Sequence, residues 1–158
     1  MITSQLHTRR LNLADLPSIH SLQLSPEHQQ EALDCSGCST VTEALKICLS
    51  LSRVTWVLES DDEGIIGVFG LGSREGEVYP WYFASPVVRD RYWFTLARGS
   101  KPMVDLWKSK FPYMVNYAWA ENKRDLRWLE WLGFQIVETP ILINENEYLK
   151  FYMHGGSD

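Results

Sequence analysis

The sequence has few cysteines and no long apolar run. Its three cysteines are an odd number without a secretory context, which argues against a disulfide framework. No stretch approaches the roughly 20 apolar residues of a membrane-spanning helix. The polar start lacks the apolar core of a signal peptide. We therefore expect a soluble, cytoplasmic protein without a membrane partner.

Positive charge is also scarce, since the formal net charge is −5. The basic residues are scattered, except for Lys123, Arg124 and Arg127, which have acidic neighbours. This pattern argues against nucleic acid as a partner. A local basic pocket for one anionic ligand stays compatible with it, because a cleft can focus positive potential in an acidic protein.

The cysteines raise one hypothesis of metal binding, which is a zinc site. Cys35 and Cys38 have metal-like spacing, and His28 and Cys48 would complete four ligands. The usual second closely spaced pair is missing, and Cys48 falls on the apolar stripe of a predicted helix. We therefore expect no metal site.

The apolar content is ample for one core. The chain has 158 residues, of which 45% are apolar and 13% aromatic, with seven tryptophans. These values predict a single domain over residues 1–154 and a loose tail over residues 155–158. Some of the tryptophans are candidates for a surface that contacts a partner, and the sequence leaves open whether the protein forms a homodimer.

Hydrophobic periodicity and turn residues predict a mixed α/β (α+β) sheet. The predicted strands are Ser4–Leu11, Val54–Val57, Ile65–Leu71, Glu77–Ala84, Tyr113–Trp119, Gln135–Ile143 and Glu147–Met153. The predicted helices follow Asn12, Pro26, Thr40, Ser100 and Glu121, and Ser85–Ala97 is expected to be a connection. Pro80 lacks a ladder donor and indicates an edge or a bulge in its strand.

The segment Asn122–Phe134 carries a resemblance to a known family. It reads Asn-Lys-Arg-Asp-Leu-Arg-Trp-Leu-Glu-Trp-Leu-Gly-Phe directly after a strand, and it resembles the fourth-helix motif of the GNAT superfamily of N-acyltransferases. Two further segments, Asn12–Leu22 and Glu59–Gly67, resemble the same family more weakly. The resemblance implies a mostly antiparallel sheet of six to seven strands, flanked by about four helices.

A narrower resemblance rests on the Trp-Leu-x-Trp-Leu-Gly-Phe string and on Pro80-Trp81. Both look like a phage-encoded branch of internal virion or head-core assembly proteins with a GNAT-like fold. This branch implies a location in the host cytoplasm and phage structural proteins as partners.

The GNAT resemblance implies acetyl transfer from acetyl-CoA to a small-molecule or protein amine. It assigns cofactor contacts to Phe83 and Ala84 at a strand end, and to Asn122. The motif asparagine would bond the cofactor or the tetrahedral centre, although Asn122 reads equally well as a helix N-cap.

The family's pyrophosphate loop reads Arg/Gln-x-x-Gly-x-Gly/Ala, and its nearest counterpart here is Arg98-Gly99-Ser100-Lys101. This segment has one glycine, and Pro102 contributes no N–H. Arg98 and Lys101 either pair with phosphates or belong to a plain connector with a basic helix start.

The catalytic pattern is incomplete. Glu77 is favoured over Glu59 as the general base, and each also reads as a solvated strand-end charge. The family's acid is a tyrosine seven residues after the motif asparagine, where this chain has Leu129. The alternative acids Tyr82, Tyr92 and Tyr117 stay open. Two functions therefore stay open, an acyl-CoA-dependent N-acyltransferase and a non-catalytic phage virion or assembly protein with a degenerate GNAT fold.

Overall fold

The computed structural model describes residues 5–156, in which eight strands form one sheet and six α-helices cover its two faces. The strands are β1 (Leu6–Arg10), β2 (Ser52–Ser60), β3 (Gly64–Arg74), β4 (Glu77–Ala84), β5 (Tyr113–Trp119), β6 (Gln135–Ile136), β7 (Ile141–Ile143) and β8 (Asn146–His154). The helices are α1 (Leu16–His20), α2 (Pro26–Ser36), α3 (Val41–Leu51), α4 (Pro86–Arg91), α5 (Trp93–Lys110) and α6 (Lys123–Leu132). None of them, within residues 5–156, is both long and apolar enough to cross a bilayer.

The predicted class, a mixed and mostly antiparallel sheet, is confirmed. The elements outnumber the prediction because Gln135–Ile143 is divided into β6 and β7 before and after Pro140, and because α4 occupies part of a predicted connection. Three residues of the predicted first strand and C-terminal tail, Ser4, Ser157 and Asp158, lie outside the described residues.

The strand order is β1-β2-β3-β4-β5-β8-β6, and β7 also pairs with β8. Every pair within residues 5–156 is antiparallel except β4 and β5. Those two central strands run parallel and meet at a single bridge, Val78 with Met114. The sheet therefore opens in its middle, beyond this bridge.

Side-chain alternation gives the sheet two covered faces. On one face, α4, α5 and α6 pack on a core that includes Leu58, Phe69 and Met114. On the other face, α1, α2 and α3 pack on a core that includes Val57 and Val68. The opening between β4 and β5 therefore lies between two layers of helices.

Pro80 explains where the opening begins. The Ser85 N–H donates to Ile66 O at 2.9 Å, so alternate residues of β4 turn their backbone groups to β3 and the others turn theirs towards β5. Pro80 belongs to the second set and has no N–H to continue the ladder after Val78. The strand pairs with β3 in unbroken register through Pro80, so the predicted local edge is confirmed without a bulge.

The predicted helix start at Ser100 is wrong, because α5 begins at Trp93 and carries Pro102 in its interior. A proline inside a helix costs about 3 kcal/mol in isolation. Here Leu96, Val104 and Trp107 lie at helical spacing and are buried against the sheet. Their packing outweighs the local signals of Ser100 and Pro102.

The helix of the GNAT-like motif forms as predicted. Asn122 is its N-cap, with the side-chain oxygen accepting from the Asp125 N–H at 3.4 Å. Gly133 ends the helix with φ near 110°, a left-handed conformation that favours glycine. The segment therefore specifies both of its own ends.

A pair of glycine substitutions tests the boundaries of α5 and α6. Gly133→Ala should lower the free energy of unfolding by about 1 kcal/mol, because alanine is strained at positive φ. Gly99→Ala should raise it by up to about 1 kcal/mol, because Gly99 lies in a helix and a Cβ there meets nothing within 4 Å. Urea unfolding measures both. Destabilisation by Gly99→Ala would contradict a continuous α5.

Candidate functional site

Asn116 closes the narrow end of the opening between β4 and β5. Its side-chain Nδ2 donates to Pro80 O at 2.7 Å, and its Oδ1 accepts from the Tyr117 N–H at 2.8 Å. One side chain thus satisfies a backbone group of each strand at the point where ladder pairing stops.

Helix α2 bonds the strand edges further along the opening. His28 Nδ1 accepts from the Ala84 N–H of β4 at 2.9 Å, and the Ser25 N–H before α2 donates to Ala84 O at 2.9 Å. Glu31 Oε2 accepts from the Trp119 N–H of β5 at 2.9 Å. The Tyr82 N–H faces the same opening and has no ladder partner within residues 5–156.

The hydrogen bonds of His28 define its tautomer. Because Nδ1 accepts the Ala84 N–H, the ring carries its proton on Nε2, which donates to Asp125 Oδ2 at 2.8 Å. The side chain is buried and lies edge-on to the Tyr82 ring, with centroids 5.0 Å apart. His28 is therefore a neutral imidazole that joins β4 to α6 through α2.

Glu31 is the most strongly perturbed carboxyl group of the opening. Burial is the main cause that raises the pKa of Glu31 to about 7, and the negative charge of Asp125 contributes to this rise. Its Oε2 also accepts from Asn122 Nδ2 at 3.1 Å, and the same amide donates to Asp125 Oδ2 at 3.0 Å. The Asn122 amide is therefore committed to two carboxylates as well as to the cap of α6.

The His28, Glu31 and Asp125 side chains present ligand atoms within 4.8 Å of one another. A metal on His28 Nε2 would require that nitrogen to lose its proton while Nδ1 still accepts from Ala84, which would leave an imidazolate. The geometry therefore favours a hydrogen-bonded network. The same two bonds commit both nitrogens that His28 would have offered to the Cys35, Cys38 and Cys48 zinc set.

A cavity of about 610 Å³ passes through the sheet where β4 and β5 part. Aromatic and aliphatic side chains dominate its walls. On the α1–α3 face they include Ala44, Cys48, Tyr79, Trp81, Phe83 and Tyr117, and on the α4–α6 face Phe69, Met103, Trp107, Trp128 and Leu129. The cavity therefore connects the two faces through a largely apolar passage.

A second pocket of about 280 Å³ lies between the start of α4 and the start of α6. Its lining includes four cationic side chains, Arg89, Lys123, Arg124 and Arg127, and three acidic ones, Glu27, Glu121 and Asp125, of which Glu27 is paired with Arg89. Ser85 Oγ lines it as well and is buried without a hydrogen-bond partner among the described residues. Backbone N–H groups at the start of α6 add positive potential, so this pocket is suited to an anion.

The predicted phosphate loop does not form. Arg98-Gly99-Ser100-Lys101 lies within α5, where backbone N–H groups bond to the preceding turn. Ser100 Oγ accepts from Trp128 Nε1 at 3.1 Å, and Lys101 Nζ donates to Leu132 O at 3.3 Å, at the C-terminal end of α6. The structure therefore gives Ser100 and Lys101 contacts that hold α5 against α6.

Neither predicted base lines the pocket beside Asn122, although Glu77 lines the outer part of the cavity between β4 and β5. Glu59 accepts from Arg9 Nε at 2.8 Å. Glu77 is exposed at the start of β4, beside the Val78 bridge and about 23 Å along the strand from Ala84. Of the predicted contacts, Ala84 lines the same pocket as Asn122, and Phe83 lines the adjoining cavity.

Sequence reasoning did not place His28, Glu31 and Asp125 in a functional site. One signal was present, because His28 and Glu31 are three residues apart in a predicted helix and therefore share a face. Their partners lie 91 to 97 positions away in Asn122 and Asp125, so only the tertiary structure brings them together.

No protein-family model matches this sequence, and no curated protein matches it. Solved structures do resemble the fold. A spermidine N-acetyltransferase from Vibrio cholerae in complex with CoA and spermine shares 16% identity over 96% of each chain, with a TM-score of 0.65. A GNAT superfamily phosphinothricin acetyltransferase from Sinorhizobium meliloti in complex with AcCoA shares 14% identity over 98% of this chain and 90% of its own, with a TM-score of 0.67.

A third similar structure is RimL, a ribosomal alpha-N-protein acetyltransferase in complex with coenzyme A. It shares 10% identity over 100% of this chain and 98% of its own, with a TM-score of 0.64. The chain therefore has a GNAT fold, as the Asn122–Phe134 motif predicted. Identities this low establish the fold alone.

Glu31→Gln tests the buried carboxyl group through the pH dependence of stability. The pKa of Glu31 rises from about 4.5 in the unfolded chain to about 7 in the fold, so wild-type stability falls as the pH rises through that window. The neutral variant, which keeps an oxygen for Trp119, avoids this loss. At about pH 8 it should therefore gain about 1 to 3 kcal/mol over wild type, relative to about pH 5.

Urea unfolding at the two pH values measures the effect, with the exposed Glu138→Gln as the matched control. Parallel pH profiles for wild type and Glu31→Gln would contradict a raised pKa.

Proposed function

We propose that this protein is an acyl-CoA-dependent N-acyltransferase that acetylates an amine. The cavity that passes through the sheet between β4 and β5 carries this proposal. A passage open to both faces allows an acyl donor and an amine to approach from opposite sides and meet between the strands. Holding two reactants in contact removes much of the entropic barrier of a bimolecular reaction.

The cationic pocket supports the proposal at the phosphate end of the cofactor. Arg89, Lys123 and Arg124 supply positive charge, and backbone N–H groups at the start of α6 add to it. These are the groups that phosphate oxygens need. We therefore move the proposed phosphate contacts from Arg98 and Lys101 to this pocket. Phe83, Ala84 and Asn122 stay proposed cofactor neighbours, since Ala84 and Asn122 line it and Phe83 lines the adjoining cavity.

Acetyl-CoA would supply the acyl group as an activated thioester. In this proposal the free Tyr82 N–H donates to the carbonyl oxygen, where a fixed donor in an apolar passage stabilises developing negative charge. Glu31 takes a proton from the amine, because its pKa near 7 suits a general base. It is better placed than Glu77, which lies at the closed end of the opening.

A tyrosine remains the proposed acid for the departing thiolate, in place of Leu129. Tyr92 donates its hydroxyl to Glu63 Oε1 at 2.8 Å, and burial raises the pKa of Tyr82 well above its usual value. Tyr117 is half-buried and lines the cavity. We therefore propose Tyr117 for this role.

Calorimetric titration with acetyl-CoA tests the proposal. The double substitution Lys123→Ala with Arg124→Ala should weaken binding about 10- to 100-fold, because charge-assisted bonds to phosphate contribute about 1.5 to 3 kcal/mol. Arg98→Ala removes one positive charge from an exposed turn of α5 and serves as the control. Absence of binding at millimolar acetyl-CoA would overturn the proposal, and equal weakening by Arg98→Ala would overturn the assigned pocket.

A second candidate, a non-catalytic scaffold, is favoured by the chain that follows β4. The family pattern Arg/Gln-x-x-Gly-x-Gly/Ala falls there on Arg89 to Phe94, with Tyr92 and Phe94 at the glycine positions. The segment forms α4 and the start of α5 instead of an open loop. His28 also occupies the Ala84 N–H that faces the opening. Phage structural proteins remain the proposed partners of such a scaffold.

The His28→Ala variant separates the two candidates. If α2 only restricts access in an enzyme, releasing the Ala84 N–H should strengthen acetyl-CoA binding while circular dichroism shows a folded chain. A scaffold that has lost the site should give no thermal shift with acetyl-CoA for wild type or variant. The scaffold should instead retain virion or head proteins from phage-infected cells in a pull-down. The exposed variant Glu138→Gln serves as the control and should retain the same proteins equally.

A further inference from the structure

The cavity has a distinct chamber on the α1–α3 face of the sheet. We use this name for the space bounded by Ala44, Cys48, Tyr79, Trp81 and Phe83, with Glu31 at its inner end. Three of the five walls are aromatic rings, and the other two are small apolar side chains. An apolar group of the size of one or two rings therefore suits the chamber.

Glu31 presents one free oxygen to this chamber. Oε2 already accepts from Trp119 and Asn122, whereas no described residue donates to Oε1. Oε1 keeps some solvent-accessible surface, in contrast to Ser85 Oγ, which is fully buried without a partner. Because Glu31 lines the cavity, this accessible surface of Oε1 opens on it. The side chain is otherwise buried, with Glu31 8% exposed. A carboxylate oxygen that is held in place and lacks a donor is a site for a cationic donor.

The charges around the chamber limit how many cationic groups a ligand can carry. Glu31 and Asp125 are the carboxylates at the inner end of the cavity, Asp125 being bonded to His28 and Asn122, and Arg74, Glu77 and Lys150 lie where β3, β4 and β8 reach the cavity. Two of these three outer charges are positive. A second ammonium group that reached these outer residues would therefore meet a net positive charge there.

We infer that the chamber binds an apolar primary monoamine, with its ammonium group on Glu31 Oε1 and its aromatic or aliphatic group among Tyr79, Trp81 and Phe83. The inference names the amine class for the proposed acyltransferase and rests on that proposed function only for turnover. Binding of the amine itself needs no cofactor.

The titratable groups around Glu31 make the binding dependent on pH. On α2, His28 is held neutral by Ala84 and Cys35 is a thiol, and on α6 Asp125 is bonded to His28 and Asn122. Glu31, with a pKa of about 7, changes its charge near neutral pH. Ammonium binding requires its ionised form, so affinity should rise as the pH rises through about 7.

Calorimetry without acetyl-CoA tests the inference at about pH 8, where Glu31 is ionised. Phenethylamine and tryptamine should bind, whereas spermidine and the uncharged phenethyl alcohol should bind at least about tenfold more weakly. Glu31→Gln should weaken phenethylamine at least about tenfold, and the exposed Glu138→Gln should leave it unchanged. Lowering the pH to about 6 should weaken phenethylamine binding to wild type, a readout that needs no variant.

Three results would overturn the inference. They are the absence of phenethylamine and tryptamine binding at millimolar concentration, tighter binding of spermidine than of phenethylamine, and equal effects of Glu31→Gln and Glu138→Gln. Because acetyl-CoA is absent, amine binding without subsequent acetylation would overturn the proposed enzyme and leave the amine site standing. Acetylation of spermidine but not of phenethylamine would overturn the amine site and leave the proposed enzyme standing.

Discussion

The missing N–H of Pro80 is the constraint on which the central site depends. Without that donor the parallel pairing of β4 and β5 ends after Val78 and Met114, and the sheet opens in its middle. Exposed backbone groups inside a protein need hydrogen-bond partners. Asn116 bonds both strands at the narrow end, and α2 bonds them further out through His28 and Glu31.

Helix α2 therefore has two roles that compete. Its side chains hold the parted strands, and the same side chains occupy positions along the opening. Glu31 is the costly part of this arrangement, because burial opposes its ionisation. A carboxyl group kept in such an environment, with one oxygen open to a cavity, is characteristic of a functional site. His28 instead stays neutral and serves as a bridge between β4 and α6.

The sequence predicted the secondary-structure elements better than it predicted the contacts of the candidate site. The helix start at Thr40, the bounds of β4 and β5, and the caps of α6 were predicted correctly, because each depends on residues a few positions apart. The predicted start of α5 was wrong, because it relied on the local signals of Ser100 and Pro102. The burial of Leu96, Val104 and Trp107, which extends the helix, depends on tertiary contacts that the local sequence does not show. Asn122 was recognised, but its bonds to Glu31 and Asp125 were not.

The sequence by itself determined the helix Lys123–Leu132 with Asn122 before it and Gly133-Phe134 after it, and the resemblance carried by this segment implied the GNAT fold. Helical periodicity, capping and a left-handed glycine are local properties that can be read along the chain. Only the tertiary structure shows where the cationic pocket and the buried carboxyl group lie. Arg89, Lys123 and Arg124 line one pocket, whereas Arg98 and Lys101 lie along α5, and Glu31 is buried, whereas Glu77 is exposed. The physical reason is that burial and charge proximity arise between residues about 90 positions apart, which no local pattern encodes.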